Sequence, residues 1–303
     1  VLIHGESGTG KGLAARAIHK QSTRNNKAFM EVNCAAIPGT LLESELFGYE
    51  AGAFTDAKKR KIGLIEASNG GSMLLDEIGD MDFHLQAKFL RVLEDSYIRR
   101  IGGTENIPID VRFIFSTNKD LNKMVAEGLF REDLFYRISI VPITIPPLRE
   151  RVEDIILIAL YYVAEFNKKL KKKATNISKE AEIILKNYPW PGNVRELKNI
   201  IERVMILQNI GSTITPANLP AEIKSSLRSA LGDINLNTLL PKLTAEKIDY
   251  EKTTEKIFTN IRKEILTNAL QANMGNKTKA AKSLGISRYK FIREEKKIDN
   301  TNT

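Results

Sequence analysis

Near its beginning the chain reads Gly5-Glu6-Ser7-Gly8-Thr9-Gly10-Lys11, and this stretch decides the fold. The apolar run Val1–His4 precedes it, and Leu13–His19, which has helical spacing and no helix breaker, follows it. A strand, a glycine-rich turn, a lysine and a helix in this order are the context that a phosphate-binding loop requires. In such a loop backbone N–H groups curl around an anion, the helix N-terminus adds its positive end, and the lysine reaches the terminal phosphates. The stretch therefore predicts a nucleoside triphosphate as ligand.

One position beside the loop departs from the common pattern. Gly12 stands where many phosphate-binding loops carry the Ser or Thr hydroxyl that binds magnesium. The alternative interpretation is a glycine-rich turn that holds no ligand. We favour the functional interpretation, because the remaining loop positions and both flanking segments suit phosphate binding.

The composition is that of a soluble globular protein. The chain has 303 residues, of which 42% are hydrophobic and 27% charged, and this excludes a disordered or fibrous protein. Its single cysteine, Cys34, cannot form an internal disulfide, which fits a reducing cytosol. No signal peptide is visible, and the longest apolar run, around Ile155–Ala164, is too short to cross a bilayer. We expect a cytoplasmic protein without a membrane partner, preceded by further residues because the chain begins inside a strand and without Met.

The charge balance is basic. The net charge is +9 and the pI is about 9.4. A surplus of this size permits nucleic-acid binding, but it equally keeps a surface solvated.

A second motif begins at Gly71 and ends in two carboxylates, Asp76 and Glu77. An apolar strand followed by Asp-Glu is common and can simply mark a strand that meets a helix. In a parallel sheet, however, the strand ends gather at one edge, which places Asp76 near Lys11. There Asp76 can hold Mg²⁺ directly or through water, while Glu77 points at an attacking water.

Strand-like runs alternate with helical segments along the first half of the chain. The strands are expected at 1–4, 28–33, 71–76, 111–117 and 139–145. This alternation predicts an α/β fold with a parallel sheet covered on both faces. After Pro146 the pattern is helical, over about 154–168, 178–188 and 193–207, with Ser178 and Asn193 as N-caps.

A loop with an aromatic tip interrupts the helical pattern between Thr40 and Ala67. Helical spacing stops at Gly48, passes through Gly52-Ala53-Phe54-Thr55-Asp56-Ala57, and resumes at Ile62. An exposed Phe54 with small neighbours indicates a binding surface.

Four further polar residues have two interpretations each. Asn118 ends an apolar strand and either forms a turn or contacts a γ-phosphate or its attacking water. Arg131 and Arg137 either make surface salt bridges with Glu132 and Asp133 or reach the phosphates of a neighbouring subunit. Arg195 is either a surface residue or folds back on the nucleotide.

The C-terminal part predicts a small DNA-binding domain. Periodicity is lost from about 208 to 247, which indicates a linker with one short helix, and returns at 250–272. Two short helices then follow, 277–284 capped by Asn276 and 288–297 started by Ser287, with Gly285 at the turn. The predicted units are a sheet subdomain at 1–147, a helical lid at 148–220, a linker at 221–249 and a helix-turn-helix domain at 250–303.

Basic residues dominate this last segment. From Lys277 onward eight basic residues face three acidic ones, which favours DNA binding over a plain helical hairpin. The residues we place at DNA are those on the two short helices and at the start of the second. They are Lys277, Ser287, Arg288, Tyr289, Lys290 and Arg293.

Taken together, these motifs resemble the AAA+ core and DNA-binding domain of bacterial sigma-54-dependent transcriptional activators. Gly5–Lys11 resembles their Walker A motif and Leu74–Glu77 their Walker B motif. Gly52–Ala57 resembles the GAFTGA loop, which is the most specific of the three, and the C-terminal helices resemble a Fis-type helix-turn-helix.

The resemblance implies a role for each matching residue. Phe54 and Thr55 would contact sigma-54, and Asn33 would hold the catalytic Glu77 in an unproductive pose until the ring is engaged. The remaining assignments concern the nucleotide. Asn118 would be sensor I, Arg131 and Arg137 the paired arginine fingers, Arg195 sensor II, and Gly5, Glu6, Ser7, Gly8, Thr9, Gly10, Lys11 and Gly12 the phosphate-binding residues.

Two positions differ from the family pattern. Asp56 replaces the second Gly of the loop motif, which restricts the backbone and adds charge beside the partner contact. Gly12 replaces the usual Glu, so that Mg²⁺ depends on Asp76.

The resemblance implies a cytoplasmic ATPase that binds enhancer DNA, forms a ring, expected to be a hexamer, and remodels the sigma-54 RNA polymerase closed complex. Its cofactors would be ATP and Mg²⁺. Asp56 motivates a second hypothesis, a DNA-binding regulator whose nucleotide domain oligomerises but no longer engages sigma-54. A third is an AAA+ remodeller outside transcription.

Overall fold

The computed structural model describes residues 1–207, 211–224, 259, 262–263, 265–271 and 273–299. The chain divides into two compact units, Val1–Leu219 and Pro220–Thr303. No described helix is long and apolar enough to cross a membrane.

The strands of the first unit are β1 (Leu2–His4), β2 (Phe29–Asn33), β3 (Gly48–Tyr49), β4 (Lys61–Ile62), β5 (Ser72–Asp76), β6 (Tyr97–Ile98), β7 (Ile107–Pro108), β8 (Arg112–Thr117), β9 (Pro142–Thr144), β10 (Asn176–Ile177) and β11 (Thr213–Ile214). Its helices are α1 (Lys11–Lys20), α2 (Gly39–Phe47), α3 (Leu64–Ala67), α4 (Phe83–Asp95), α5 (Leu121–Ala126), α6 (Glu132–Ile138), α7 (Val152–Leu170), α8 (Lys179–Asn187) and α9 (Asn193–Leu207).

The central sheet is parallel and has the order β2-β5-β8-β1-β9, which confirms the predicted fold class. Alternate residues of β5 enter two different cores, because successive side chains of a strand point to opposite faces. Leu74 packs with Ala15 of α1 on one face, and Met73 and Leu75 pack with the cluster that contains Phe89 of α4 on the other. Helices therefore cover both faces, and the carboxyl ends of β1, β5 and β8 meet at one edge.

The segment after α2 differs from the expectation of a loop that interrupts a helix. Gly48 pairs with Ile62, and Tyr49 with Lys61, in a short antiparallel pair. Helical structure resumes only at Leu64. The strand pairing of Lys61 and Ile62 explains the delay, and Gly63 permits the close approach, because a Cβ there would lie 2.4 Å from the Phe47 backbone.

The helical subdomain contains α7, α8 and α9. Ser178 caps α8 as predicted, since its Oγ accepts from the Ala181 N–H. The assignment of Asn193 as a side-chain N-cap was wrong, because its amide bonds to residues outside α9. The segment of about 208–247, in which the sequence shows no periodicity, is structured at Thr213–Ile214, which pairs with β10, and Ile214 is fully buried.

The C-terminal unit contains the two predicted short helices, Lys277–Ser283 and Arg288–Asp299. Asn276 accepts hydrogen bonds from the Thr278 and Lys279 N–H groups, and Gly285 has a φ of +65° at the turn. The core of the pair consists of small and apolar side chains. They are Ala280, Ala281, Leu284, Ile286 and Phe291, together with Leu266 and Ala269 from the helical residues 265–271. Residues 225–249 of the predicted linker and most of 250–264 lie outside the described residues.

Candidate nucleotide-binding site

The loop between β1 and α1 has the curled backbone that an anion site needs. Gly8 and Gly10 have φ values of +80° and +103°, a region that residues with a Cβ rarely adopt. The turn is closed by Thr9, whose hydroxyl donates to the Glu6 carbonyl at 2.8 Å. Helix α1 begins directly at Lys11, so its free N–H groups lie at the loop.

Lys11 is almost completely buried, with 6% of its surface exposed. Its ammonium donates to the Gly5 carbonyl and to Glu77 Oε1, both at 3.0 Å. The sequence placed Asp76 near Lys11, whereas the direct ion pair is made by Glu77. The lysine is thus held over the loop by two contacts that a triphosphate can exchange for its own oxygens.

Glu77 is fixed at the end of β5 by an unusual backbone. Its φ of +54° is rare for a residue with a Cβ and turns the chain sharply after Asp76. Besides the Lys11 contact at Oε1, its Oε2 accepts from the Asn118 backbone N–H at 2.9 Å. Asn118 therefore lies beside Glu77, and it is the backbone of Asn118 that makes this contact.

Asp76 lies between neighbouring strands. Its Oδ1 accepts from Ser116 Oγ of β8 at 2.6 Å, and its Oδ2 from the Asn33 amide of β2 at 3.4 Å. The strand register explains the second contact, because Asn33 pairs directly with Asp76. The resemblance implied that Asn33 holds Glu77; in this structure its amide donates to Asp76, and its Oδ1 accepts from the Ala35 and Ala36 N–H groups.

A cavity of about 420 Å³ lies beside the phosphate loop. Its wall contains Lys11 from α1, Asp76 and Glu77 from the sheet edge, and Arg195 from the lid. The described residues hold no group of three or more His, Cys, Asp or Glu side chains arranged around a metal. Asp76 fits Mg²⁺ nevertheless, since both its oxygens accept from neutral donors and keep free lone pairs. Such an ion usually takes one or two protein carboxylates and fills its shell with phosphate oxygens and water.

Gly12 borders the same cavity. A Cβ at this position would lie 3.1 Å from Glu31 Oε1, which also lines the wall. The space that a side chain at position 12 would fill is therefore bordered by the carboxylate of Glu31. The other oxygen of this carboxylate pairs with Arg16.

The lid contacts the loop through Arg195 and through Arg149 and Asn193, two residues to which the sequence assigned no role at the nucleotide. Arg195 donates to Ser7 Oγ at 3.0 Å. It therefore lies at the phosphate loop, where it would have to be in order to fold back on a nucleotide. Arg149 and Asn193 both bond to the carboxylate of Glu6. The one signal for Arg149 was its position two residues after Pro147, in the segment that ends the sheet subdomain.

Two acidic groups near the site, a carboxyl and a thiol, have displaced pKa values. Hydrogen bonds from Arg149, then from Asn193, lower the pKa of Glu6 to about 2. Burial, with a contribution from Asp76, raises the pKa of the Cys34 thiol to about 12, so Cys34 stays protonated.

The two candidate finger arginines lie outside this cavity. Arg131 makes a two-fold ion pair with Asp133, with the shorter contact at 2.6 Å, and lies over the Phe83 ring. Arg137 donates to the Leu93 carbonyl at 3.0 Å. Within one chain Arg131 thus makes the surface salt bridge with Asp133 that was one of its two interpretations. Neither arginine reaches the phosphate loop of its own chain.

The loop 48–61 presents Phe54 at its surface. The ring is 45% exposed and packs edge-on against Tyr49 at 4.9 Å. A tight turn closes the tip, because Ala57 N–H donates to the Phe54 carbonyl and Gly52 N–H to the Ala57 carbonyl. Thr55 and Asp56 are exposed. Asp56 is not among the residues with positive φ, so this tip does not need glycine there.

In the C-terminal unit the candidate DNA residues all lie on the surface. The exposed residues are Lys277, Ser287, Arg288, Tyr289, Lys290 and Arg293. Tyr289 is 79% exposed, and Ser287 Oγ accepts from the Lys290 N–H at 3.2 Å, which caps the second helix. One helix end therefore presents basic and aromatic side chains together.

Comparison with protein families identifies three regions. Residues 1–144 match the sigma-54 interaction domain, residues 149–232 the AAA+ ATPase lid domain, and residues 259–291 the bacterial regulatory proteins of the Fis family.

Similar proteins extend over nearly the whole chain. The regulatory protein AtoC of Escherichia coli is 45% identical over 95% of this chain and 60% of its own length. The transcriptional regulatory protein ZraR of Escherichia coli is 41% identical over 96% of this chain and 62% of its own length. The crystal structure of NtrX from Brucella abortus in complex with ATP is 36% identical, covers 98% of this chain and 64% of its own, and has a TM-score of 0.70. The chain thus spans less than two thirds of the proteins it matches.

Proposed function

Because the chain belongs to the proteins that join a sigma-54 interaction AAA+ domain to a Fis-type helix-turn-helix, we propose that it is an ATP-hydrolysing activator of sigma-54-dependent transcription. The observation that carries this proposal is the cavity at the sheet edge, where Lys11, Asp76 and Glu77 face the phosphate loop. The NtrX structure, solved with ATP, supports ATP as the nucleotide.

In the proposed reaction the residues of one chain bind and orient the nucleotide. Lys11 and the loop N–H groups hold the phosphates, and Arg195 contacts them from the lid. Asp76 would hold Mg²⁺, which neutralises charge on the β- and γ-phosphates. Glu77 then leaves Lys11 and polarises the attacking water, while Asn118 positions it.

A neighbouring subunit completes the site in this proposal. Arg131 and Arg137 do not line the cavity of their own chain, where they contact Asp133 and the Leu93 carbonyl. In a ring, proposed as a hexamer, they would exchange these contacts for the phosphates of the next subunit. Asn33 donates to Asp76 in this structure. In the ring it would hold Glu77 in an unproductive pose until the neighbouring subunit is engaged.

Two surfaces are proposed to bind the partners of the chain. Phe54 and Thr55 contact sigma-54 from the exposed loop tip, and the helix that begins at Arg288 enters the major groove of enhancer DNA. The family match over residues 1–144 argues against a remodeller outside transcription. We also propose that the sheet subdomain ends at residue 147, the helical lid at 220 and the linker at 249.

The test separates binding from chemistry. Glu77→Gln should bind ATP at least as tightly as the wild type, because the substitution removes a carboxylate beside the phosphates, and should lose ATP turnover by about 10² or more. Nucleotide titration and steady-state phosphate release measure the two quantities. Glu31→Gln, which changes another carboxylate of the same wall, is the matched control and should retain most turnover. Turnover of Glu77→Gln at the wild-type rate would reject the catalytic assignment.

The exposed carboxylate of Asp56 supports a second function, a DNA-binding regulator that no longer engages sigma-54. Open-complex formation by the chain on a sigma-54 promoter distinguishes the two functions. Success with Asp56 intact rejects the second one, and failure that Asp56→Gly repairs favours it.

A further inference from the structure

Asn193 is a fully buried polar residue between the phosphate loop and the lid. Its amide nitrogen donates to Glu6 Oε2 at 3.1 Å and to the Ser7 carbonyl at 3.0 Å. Its amide oxygen accepts from the Leu148 N–H at 2.8 Å. A single side chain therefore joins the loop to the segment that starts the lid, with its nitrogen as donor to the loop and its oxygen as acceptor from the lid segment.

A second contact strengthens this junction. Arg149 donates to both oxygens of the same Glu6 carboxylate, at 2.6 and 2.9 Å. Paired N–H···O bonds of this kind fix the direction as well as the distance between the partners. Glu6, Arg149 and Asn193 thus form one unit, which we call the clasp.

The clasp sets the position of the residues that follow Asn193. The Val194 N–H donates to the Gly8 carbonyl at 3.0 Å, and Arg195 donates to Ser7 Oγ. The approach is close, because a Cβ on Gly8 would lie 2.4 Å from the Gly192 carbonyl. Residues 193–195 therefore contact the loop in succession, and a displacement of Asn193 carries Arg195 with it.

The backbone of Asn193 fits this role. Its φ of +52° lies in the left-handed region, where Asn is tolerated better than most residues. The preceding turn is fixed independently: the Gly192 N–H donates to Glu196 Oε2, and Trp190 is buried with its Nε1 on the Leu185 carbonyl. The lid thus presents the amide from a rigid support.

We propose that Asn193 is a positioning residue for nucleotide binding, which acts by holding Arg195 and the phosphate loop in register. The proposal rests on the proposed ATP site. It concerns affinity more than chemistry, since the side chains of Lys11 and Glu77 are oriented by hydrogen bonds to each other, to the Gly5 carbonyl and to the Asn118 N–H.

Asn193→Gly tests this role, because glycine keeps the left-handed backbone and removes only the amide. We expect the dissociation constant and KM for ATP to rise about tenfold, which corresponds to about 1.4 kcal/mol, with kcat at saturating ATP within about threefold of wild type. Lys171→Gly, at an exposed left-handed position of the lid, is the control and should bind as the wild type does.

Two further variants distinguish positioning from a merely structural role. If Asn193 acts through Arg195, Asn193→Gly with Arg195→Ala should bind ATP little worse than Arg195→Ala alone. Should Asn193→Gly fail to fold, Arg149→Met breaks the exposed half of the clasp and should weaken binding severalfold. Unchanged affinity in the folded variants, or fully additive losses with Arg195→Ala, would overturn the proposal. A wild-type chain that binds no nucleotide would instead reject the proposed function itself.

Discussion

Glu6 shows how neighbours fix the charge state of one side chain. Its pKa is about 2, below its ordinary value of 4.5, chiefly because Arg149 bonds to the carboxylate. A carboxylate with a lowered folded-state pKa stabilises the fold fully above 4.5, and this contribution is lost as the pH falls toward 2. We expect Glu6→Gln to lower the unfolding temperature modestly at pH 7, since the partly exposed pair is screened by water, and to differ less from wild type at pH 3.

The measurement is thermal unfolding of both chains between pH 7 and pH 3. Asp56→Asn, at an exposed loop carboxylate, is the control and should follow the wild type. A difference between Glu6→Gln and wild type that stays constant over this range would contradict the assigned pKa.

At the scale of elements, a buried arginine joins the loop 48–61 to the hairpin β6–β7. Arg100 is 7% exposed and pairs with Glu50 at 2.7 Å and with Glu66 at 2.7 and 3.0 Å, which raises its pKa. Removing the cation leaves two carboxylates facing each other. We expect Arg100→Met to lower the free energy of unfolding by about 1–3 kcal/mol. Urea denaturation measures the loss.

Lys88 provides the matched comparison. It pairs with Glu43 on the surface, where the lysine side chain is 45% exposed. Surface pairs contribute about 0–1 kcal/mol, so Lys88→Met should change stability much less than Arg100→Met. Equal losses in the two variants would show that burial of Arg100 is not what makes its network important.

At the scale of the whole molecule, the surplus of +9 charges predicts a salt-dependent interaction with DNA. The affinity for enhancer DNA should fall linearly with salt on a double logarithmic plot, as counterions are released. If Lys290 contacts a phosphate, Lys290→Ala should reduce the slope by about 0.9 and weaken all sequences equally. Binding titrations at several salt concentrations measure this.

A basic residue of the first unit, which contains none of the proposed DNA contacts, serves as the control. Lys20, exposed at the end of α1, should leave the slope unchanged when replaced by Ala. A slope that responds equally to both substitutions would indicate that net charge, and not the second helix of the C-terminal pair, dominates DNA binding.

Local sequence determined most of the elements in this chain. The strands and helices around Lys11, Asp76 and Asn118 followed from apolar runs and turn residues, which act over a few neighbours. Ser178 and Asn276 were recognised as caps for the same reason. The pair β3–β4 was missed, because two-residue strands have no period to detect and Gly48 meets Ile62 only through tertiary contact.

By itself, the sequence determined a phosphate loop, a parallel sheet, a helical lid and a basic pair of helices, since each depends on residue order and spacing. Only the tertiary structure decided which side chains share a site. It paired Lys11 with Glu77, placed Asn33 on Asp76, and made Asn193 the link between loop and lid. The physical reason is that these hydrogen bonds join residues 43 to 186 positions apart, and their formation depends on strand register and lid packing that no local pattern encodes.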